Sequence, residues 1–286
     1  MKLARDVVLV LAALALCPLV ALTAPDEPPL ERTRMLADAE RALGLFFEPH
    51  WHAWLAARPT LLTLAGLFYV WVHLPATIGA LVWARLERPH AFPLARDTFL
   101  ATQMLTVIGY FAWPVAPPRM APELGFTDTL AAVYGTGGET LAHSVQSPYA
   151  AMPSGHVAFA CVAAGTVFAL VRSRALRAGA VLYVALVVAV IVATANHFWL
   201  DAVGGAAAAL VGWLTVRLRT ESIQRTRAAR RGDDDGDSAH ETLARRGDRR
   251  GSGWAGGGPP ASGPGLRGDG AGAGLRAGRP GRAPAR

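Results

Sequence analysis

Apolar residues along this 286-residue chain fall in blocks rather than in an even scatter. Six blocks predict helices in a bilayer, near 7–24, 61–84, 98–113, 152–171, 178–195 and 199–216. The fifth is the clearest, with no charge from Ala178 to Ala195; the third and sixth are short. Between the first two blocks, from about Glu31 to His50, Met35, Leu36, Ala39, Leu43 and Phe46 recur at near-helical spacing. That pattern predicts an amphipathic helix at the membrane interface. From Arg217 onward Gly, Pro, Arg and Asp dominate, and too few apolar residues remain to offset chain entropy. The expected fold is all-α, a polytopic membrane bundle of about six transmembrane helices with a disordered C-terminal tail. Its parts are an N-terminal anchor (1–24), an outer loop carrying the interfacial helix (25–60), a membrane core (61–216) and the tail (217–286).

Charge sharpens this layout. The net charge of +7 lies wholly in the tail, where fifteen Arg face eight Asp and Glu; the rest of the chain is neutral. The proximal tail arginines, Arg217 to Arg231, suit anionic lipid headgroups. Nucleic acid is not expected as a partner, because only Trp254 interleaves an aromatic and the Asp233–Asp237 run opposes it. Cys17 and Cys161 lie inside apolar runs and read as small hydrophobes, not as a disulfide or metal pair. Lys2 and Arg5 precede the first block as in a signal peptide, but Pro25 after Ala24 makes a poor cleavage junction, which favours a retained anchor.

Arg85, Arg88 and Arg96 occupy one short loop, and Arg172, Arg174 and Arg177 the next on that side. The positive-inside rule makes these loops and the tail cytoplasmic. It leaves 25–60, 114–151 and 196–198 outside, against which Arg32, Arg34, Arg41 and Arg58 count. The protein is then multi-pass in the cell membrane.

The candidate chemistry sits at the ends of the apolar blocks. In Asn196-His197-Phe198-Trp199-Leu200-Asp201 a histidine and a carboxylate stand at i and i+4, one face of a helix. The carboxylate would hold one ring nitrogen and leave the other free to attack. In Met152-Pro153-Ser154-Gly155-His156 a second histidine follows a turn at a helix start, whose N–H groups suit a phosphate. His197 as nucleophile, Asp201 as its orienter and His156 as acid read as phosphoryl transfer, with Ser154 and Gly155 on the phosphate oxygens. A third segment, Gly109 to Arg119, ends in prolines that present Arg119, the only arginine between 114 and 151, as a bidentate phosphate partner. Thr194, Asn196 and His143 are auxiliary positions. His50 and His52 read as surface residues, His73 as packed within its span, and Gly204 and Gly205 as close-packing sites.

Tyr149-Ala150-Ala151-Met152-Pro153-Ser154-Gly155-His156 and His197-x-x-x-Asp201 resemble the second and third motifs of the type-2 phosphatidic acid phosphatase superfamily. Pro114-x-x-Pro117-Pro118-Arg119 and the run Asn196 to Gly205 look closer to its inositolphosphotransferase branch, which includes the inositol phosphorylceramide synthases. The resemblance covers about 60–216. It implies a six-helix bundle, no metal or other cofactor, and a phosphohistidine on His197 with His156 as acid and Asp201 as partner. Two departures stand out. The first-motif lysine is absent, since Lys2 is the only lysine, and Ile191 stands where an arginine is expected six residues before the nucleophile.

The expected function is a lipid phosphatase or phosphotransferase acting on a lipid phosphate or phosphodiester at the extracytoplasmic face. Water as acceptor gives a phosphatase; inositol or another alcohol gives a transferase, and the motifs leave both open. A catalytically inactive scaffold and a proton-coupled transporter are the rival classes.

Overall fold

Helices form where the apolar blocks predict them, and two of the blocks are broken at single residues, Ala15 and Val72. A computed structural model describes the backbone of residues 2–135 and 147–251 and side chains between 3 and 227. The helices are α1 (Lys2–Leu14), α2 (Leu16–Ala21), α3 (Leu30–Ala42), α4 (Glu48–Ala56), α5 (Pro59–Trp71), α6 (His73–Glu87), α7 (Phe92–Ala112), α8 (Gly155–Leu170), α9 (Arg174–Ala193) and α10 (Trp199–Gly251). Two short 3-10 turns, Pro118–Met120 and Pro122–Leu124, and a helical stretch at 129–135 lie between α7 and α8. Among the described residues there is no strand; one parallel bridge joins Val115 to Ala150.

The all-α membrane architecture stands. Leu3–Ala21, Arg174–Ala193 and Trp199–Arg227 are each long and apolar enough to cross a bilayer. A fourth span results if α4 and α5, bent by 116° at their junction, count as one. The expected block at 61–84 is divided at Val72 into α5 and α6. The block at 152–171 becomes the 16-residue α8, about 24 Å of helix.

Two boundaries differ from expectation. The interfacial helix is two helices, α3 and α4, separated where Gly44 adopts a left-handed φ of 70°. Its inward face is also not the expected one: Met35 and Leu43 are exposed, and Thr33, Leu36, Ala37 and Glu40 are buried. That stripe keeps i, i+3, i+4, i+7 spacing but is polar at both ends, so an apolar pattern does not reveal it. At the other terminus the helix persists past 216, with backbone helical to Gly251, and 252–286 lie outside the described residues. Residues 217–227 carry no Gly or Pro, and Arg217 pairs with Glu221 at i+4, 3.0 Å apart, so helix propensity carries the chain on. Met1–Arg227 form one compact unit and Ala228–Arg286 a second.

Within the first unit α8 occupies the middle. Its Gly, Ala, Val and Thr positions are buried on nearly every side, against α6, α7 and α9. Small side chains allow that close approach. Phe99, Phe159 and Leu81 fill one flank of α8, while Val187, Ile191 and Val157 fill the other. At the basic end, buried Asp6 of α1 binds the guanidinium of Arg96 on α7, and Gln103 Nε2 donates to the Ala13 carbonyl at 3.0 Å, so α1 is tied to the core. Thr106 donates to Gln103 O of its own helix at 2.9 Å.

Close approach is most stringent at Gly205, where a Cβ would lie 2.2 Å from the Ser154 carbonyl oxygen. Gly205→Ala gains about 1 kcal/mol of helix propensity but forces a backbone clash that costs roughly 1–3 kcal/mol or more. Thermal unfolding in detergent is therefore expected at lower temperature for Gly205→Ala; an unchanged or raised Tm contradicts this packing.

Candidate active site

Three loops carry the chemical residues, and backbone hydrogen bonds bind them to one another. The loop after α7 joins the one before α8 through Val115, whose N–H donates to Tyr149 O at 2.9 Å and whose carbonyl accepts from Ala151 N–H at 3.3 Å. The same first loop reaches the α9–α10 turn, where Arg119 N–H donates to Ala195 O at 2.8 Å. The second reaches α10, where Ser154 N–H donates to Asp201 O at 2.9 Å. Leu36, Ala37, Val115, Phe126, Ala151, Ala195 and Phe198 pack as one apolar cluster through all three loops and α3.

The α9–α10 turn aims His197 inward. Two residues past the end of α9, Ala195 takes a left-handed φ of 54°, a conformation glycine usually takes, at a cost of roughly 1 kcal/mol. The N–H groups of Asn196 and His197 both turn back to the Ile191 carbonyl, at 3.0 and 3.1 Å. Ile191 itself is buried in the core beside Val187 and Val192, so the position where a third-motif arginine is expected is filled by hydrocarbon.

His197 and Asp201 meet, but not as two turns of one helix. Helix α10 begins at Trp199, so His197 lies ahead of it and Asp201 in its first turn. Asp201 Oδ2 accepts the Phe198 N–H at 2.8 Å, capping the helix, and lies 3.5 Å from His197 Nδ1. The nearer partner of Nδ1 is the Ala151 carbonyl, 2.9 Å away. Both neighbours of Nδ1 accept hydrogen bonds, so Nδ1 carries the proton and Nε2 keeps its lone pair. Nε2 is buried and has no hydrogen-bond partner in the structure.

His156, in the first turn of α8, stands beside it with ring centroids 5.5 Å apart. Its Nε2 donates to the Tyr69 carbonyl at 3.2 Å, and its Nδ1 is buried without a partner. Two ring nitrogens without partners on neighbouring imidazoles mark a place for a ligand. Tyr69 stacks on His156 at 4.2 Å, and His73 lies 3.8 Å from the same ring while its Nδ1 donates to the Tyr69 carbonyl at 3.2 Å. His73 thus belongs to this histidine cluster rather than only to its span.

The remaining predicted residues take other partners. Arg119 is buried, its Nε donating to Asn196 Oδ1 at 3.1 Å and its Nη1 bound to Asp128 at 2.8 Å. Asn196 in turn donates to the Thr194 hydroxyl at 2.8 Å, and that hydroxyl donates to Val190 O at 2.6 Å. Thr194 and Asn196 therefore brace Arg119 and the α9 terminus. Ser154 Oγ accepts the Val157 N–H at 3.5 Å as the N-cap of α8, so its hydroxyl is engaged as a cap. Gly155 gives room to Tyr110, whose hydroxyl would sit 2.7 Å from any Cβ there. His143 lies outside the described residues. His52, expected at the surface, is buried: its Nδ1 donates to Ala193 O at 3.2 Å and its Nε2 accepts from Thr127 N–H at 3.0 Å. Among the described residues, no three His, Cys, Asp or Glu side chains are placed to hold a metal.

Sequence reading missed Glu40 and Glu48, the acidic floor of the site. Both are fully buried, and they accept the first N–H groups of α10: Leu200 to Glu40 at 2.8 Å and Trp199 to Glu48 at 3.5 Å. Carboxylates at a helix N-terminus satisfy orphan donors and the dipole. Burial, then hydrogen bonding to Glu48, pushes the Glu40 carboxyl up to about 9.

Residues 34–215 match the family model of the PAP2 superfamily. The chain is also 30% identical over 181 residues to the phosphoinositol dihydroceramide synthase of Bacteroides thetaiotaomicron, covering 57% of this chain and 56% of that one. It therefore spans little more than half the length of that relative. No solved structure matches. The chain belongs to the PAP2 superfamily, as a helical membrane protein. Its similarity to the synthase supports the inositolphosphotransferase-like branch within it.

The Glu40 shift has a signed consequence. A carboxyl raised from 4.5 to about 9 contributes stability that is full below pH 4.5 and is lost as pH rises through about 9. Tm measured from pH 5 to 9 is expected to fall across that window, and Glu40→Gln to flatten the slope. An equal slope in both proteins contradicts the assignment.

Proposed function

We propose that the protein is an integral membrane lipid phosphatase or phosphotransferase that works through a phosphohistidine on His197. The observation that carries this reading is the fixed tautomer of His197, Nδ1 between two acceptors and Nε2 unpartnered beside His156. In the first step Nε2 attacks phosphorus, an N–P bond forms, and the P–O bond to the leaving alcohol breaks. His156, its Nε2–H held by Tyr69, takes up a second proton on Nδ1 when the phosphate anion binds beside it and gives that proton to the leaving oxygen. The positive charge that develops on His197 is stabilised by Asp201. In the second step water or an acceptor alcohol loses its proton to His156 and attacks phosphorus, and Nε2 recovers its lone pair.

Arg119 serves as the cation for the phosphate in this reading, exchanging Asp128 for substrate oxygens while Asn196 holds its Nε. The substrate is a lipid phosphate or phosphodiester, and the name of the synthase relative favours inositol as the acceptor alcohol over water. The catalytic core spans 61–216, with α3 and α4 of the outer segment closing over it. The extracytoplasmic placement of the active site rests on the arginines of the alternate loops and the tail; in the first outer loop Arg34 pairs with Glu123 and Arg41 with Asp38, both at 2.7 Å, and Arg32 donates to the Pro114 carbonyl at 3.2 Å.

The purified full chain, assayed on lipid phosphates and phosphodiesters with and without inositol, tests this. His197→Ala is expected to abolish turnover, and Asp201→Asn to lower kcat by about 10²-fold or more. Folded His197→Ala protein that still turns over contradicts the mechanism. Product that appears only with inositol establishes transfer, and release of phosphate without it establishes hydrolysis.

A further inference from the structure

At the end of α8 remote from the histidines, the helices leave a shaped cavity. A slot of about 550 Å³ lies between α7 and α10 over the C-terminal half of α8. Small residues make it: Ala95, Gly165, Ala206 and Ala209 line its walls, and a Cβ built on Gly165 meets nothing within 4 Å. The slot shares Ala169 and Leu170 with a second cavity of about 530 Å³, lined also by Arg88, Arg172 and Arg177. Among the described residues lining either space there is no Asp or Glu. Arg177 is fixed in place, donating to Val171 O at 2.9 Å and Phe168 O at 3.1 Å with its guanidinium over the Phe168 ring. Arg88 and Arg172 are exposed beside it.

A hydrocarbon slot that opens into three convergent cations, at the boundary of the apolar helices, has the chemistry of an anionic amphiphile. We infer that this double cavity binds one anionic phospholipid, an acyl chain in the slot and the phosphate headgroup among Arg88, Arg172 and Arg177. Basic pockets between membrane helices take anionic headgroups by this means. Zwitterionic lipids fill the slot equally well but bring a cation to the cations, so charge decides the occupant. The site is distinct from the histidine pair: fourteen helical residues from His156 to Leu170 put it about 20 Å away. It holds whether or not His197 is a nucleophile.

Native mass spectrometry of the full chain, released from vesicles of equal phosphatidylcholine and phosphatidylglycerol, reads the occupant directly. One retained phosphatidylglycerol is expected, enriched roughly tenfold or more over phosphatidylcholine. Arg88→Gln with Arg172→Gln is expected to remove that preference, and Gly165→Leu to lower retention of both lipids by filling the slot. Excess glycerol 3-phosphate should not displace the lipid; displacement would show that a soluble anion suffices and would overturn the proposal. Equal retention of the two lipids by the unaltered chain overturns it too, and that result does not depend on whether a variant folds. A preference that survives the double substitution in folded protein overturns the assignment to these arginines.

Discussion

The hydrogen bond from His197 Nδ1 to the Ala151 carbonyl, 2.9 Å long, is the contact on which the site depends. It joins the loop before α8 to the turn before α10, and it decides which ring nitrogen stays basic. A carboxylate alone at 3.5 Å would hold the ring loosely. Backbone and carboxylate together leave Nδ1 no role but donor. The packing around it serves that geometry: Gly205 lets α10 approach Ser154, Ala195 reverses the chain, and Phe198 anchors the turn in the apolar cluster beneath.

Helix α10 is prepared electrostatically for its task. Its first turn carries Asp201, and its orphan N–H groups are met by the side chains of Asp201, Glu40 and Glu48. Three carboxyl groups meet at this buried helix end, and burial together with the neighbouring Glu48 pushes the Glu40 carboxyl up to about 9. Cations are few by comparison: Ile191 fills one expected arginine position with core hydrocarbon, and Arg119 is braced through Asn196 and Thr194. In the proposed mechanism, substrate selection rests on Arg119 and on what α3 and α4 shape above it.

Long apolar blocks make the helices legible in the sequence, because transfer into a bilayer depends on summed hydropathy and little else. His156, His197 and Asp201 were legible because intramembrane ionisable groups are rare. Three features were not. The buried stripe Thr33, Leu36, Ala37, Glu40 is half polar, so hydropathy pointed to Met35 and Leu43 instead. The Ala151 carbonyl is main chain and leaves no trace in residue type. Asp128 meets Arg119 nine residues away across an irregular loop, and Glu48 meets the start of α10 from a distant segment, so neither pairing shows in a periodic pattern. Ser154 was placed correctly at the helix start, yet its hydroxyl caps α8, a role that spacing could equally have indicated.

Position-specific analysis of the trapped intermediate tests the central claim most directly. Full-length protein quenched in alkali during turnover of a phosphorus-32-labelled substrate should carry alkali-stable, acid-labile label on His197. Peptide mapping with NMR of the modified ring should place phosphorus on Nε2. Label on Nδ1 of His197, or on His156, would contradict an imidazole pinned by Ala151 and Asp201.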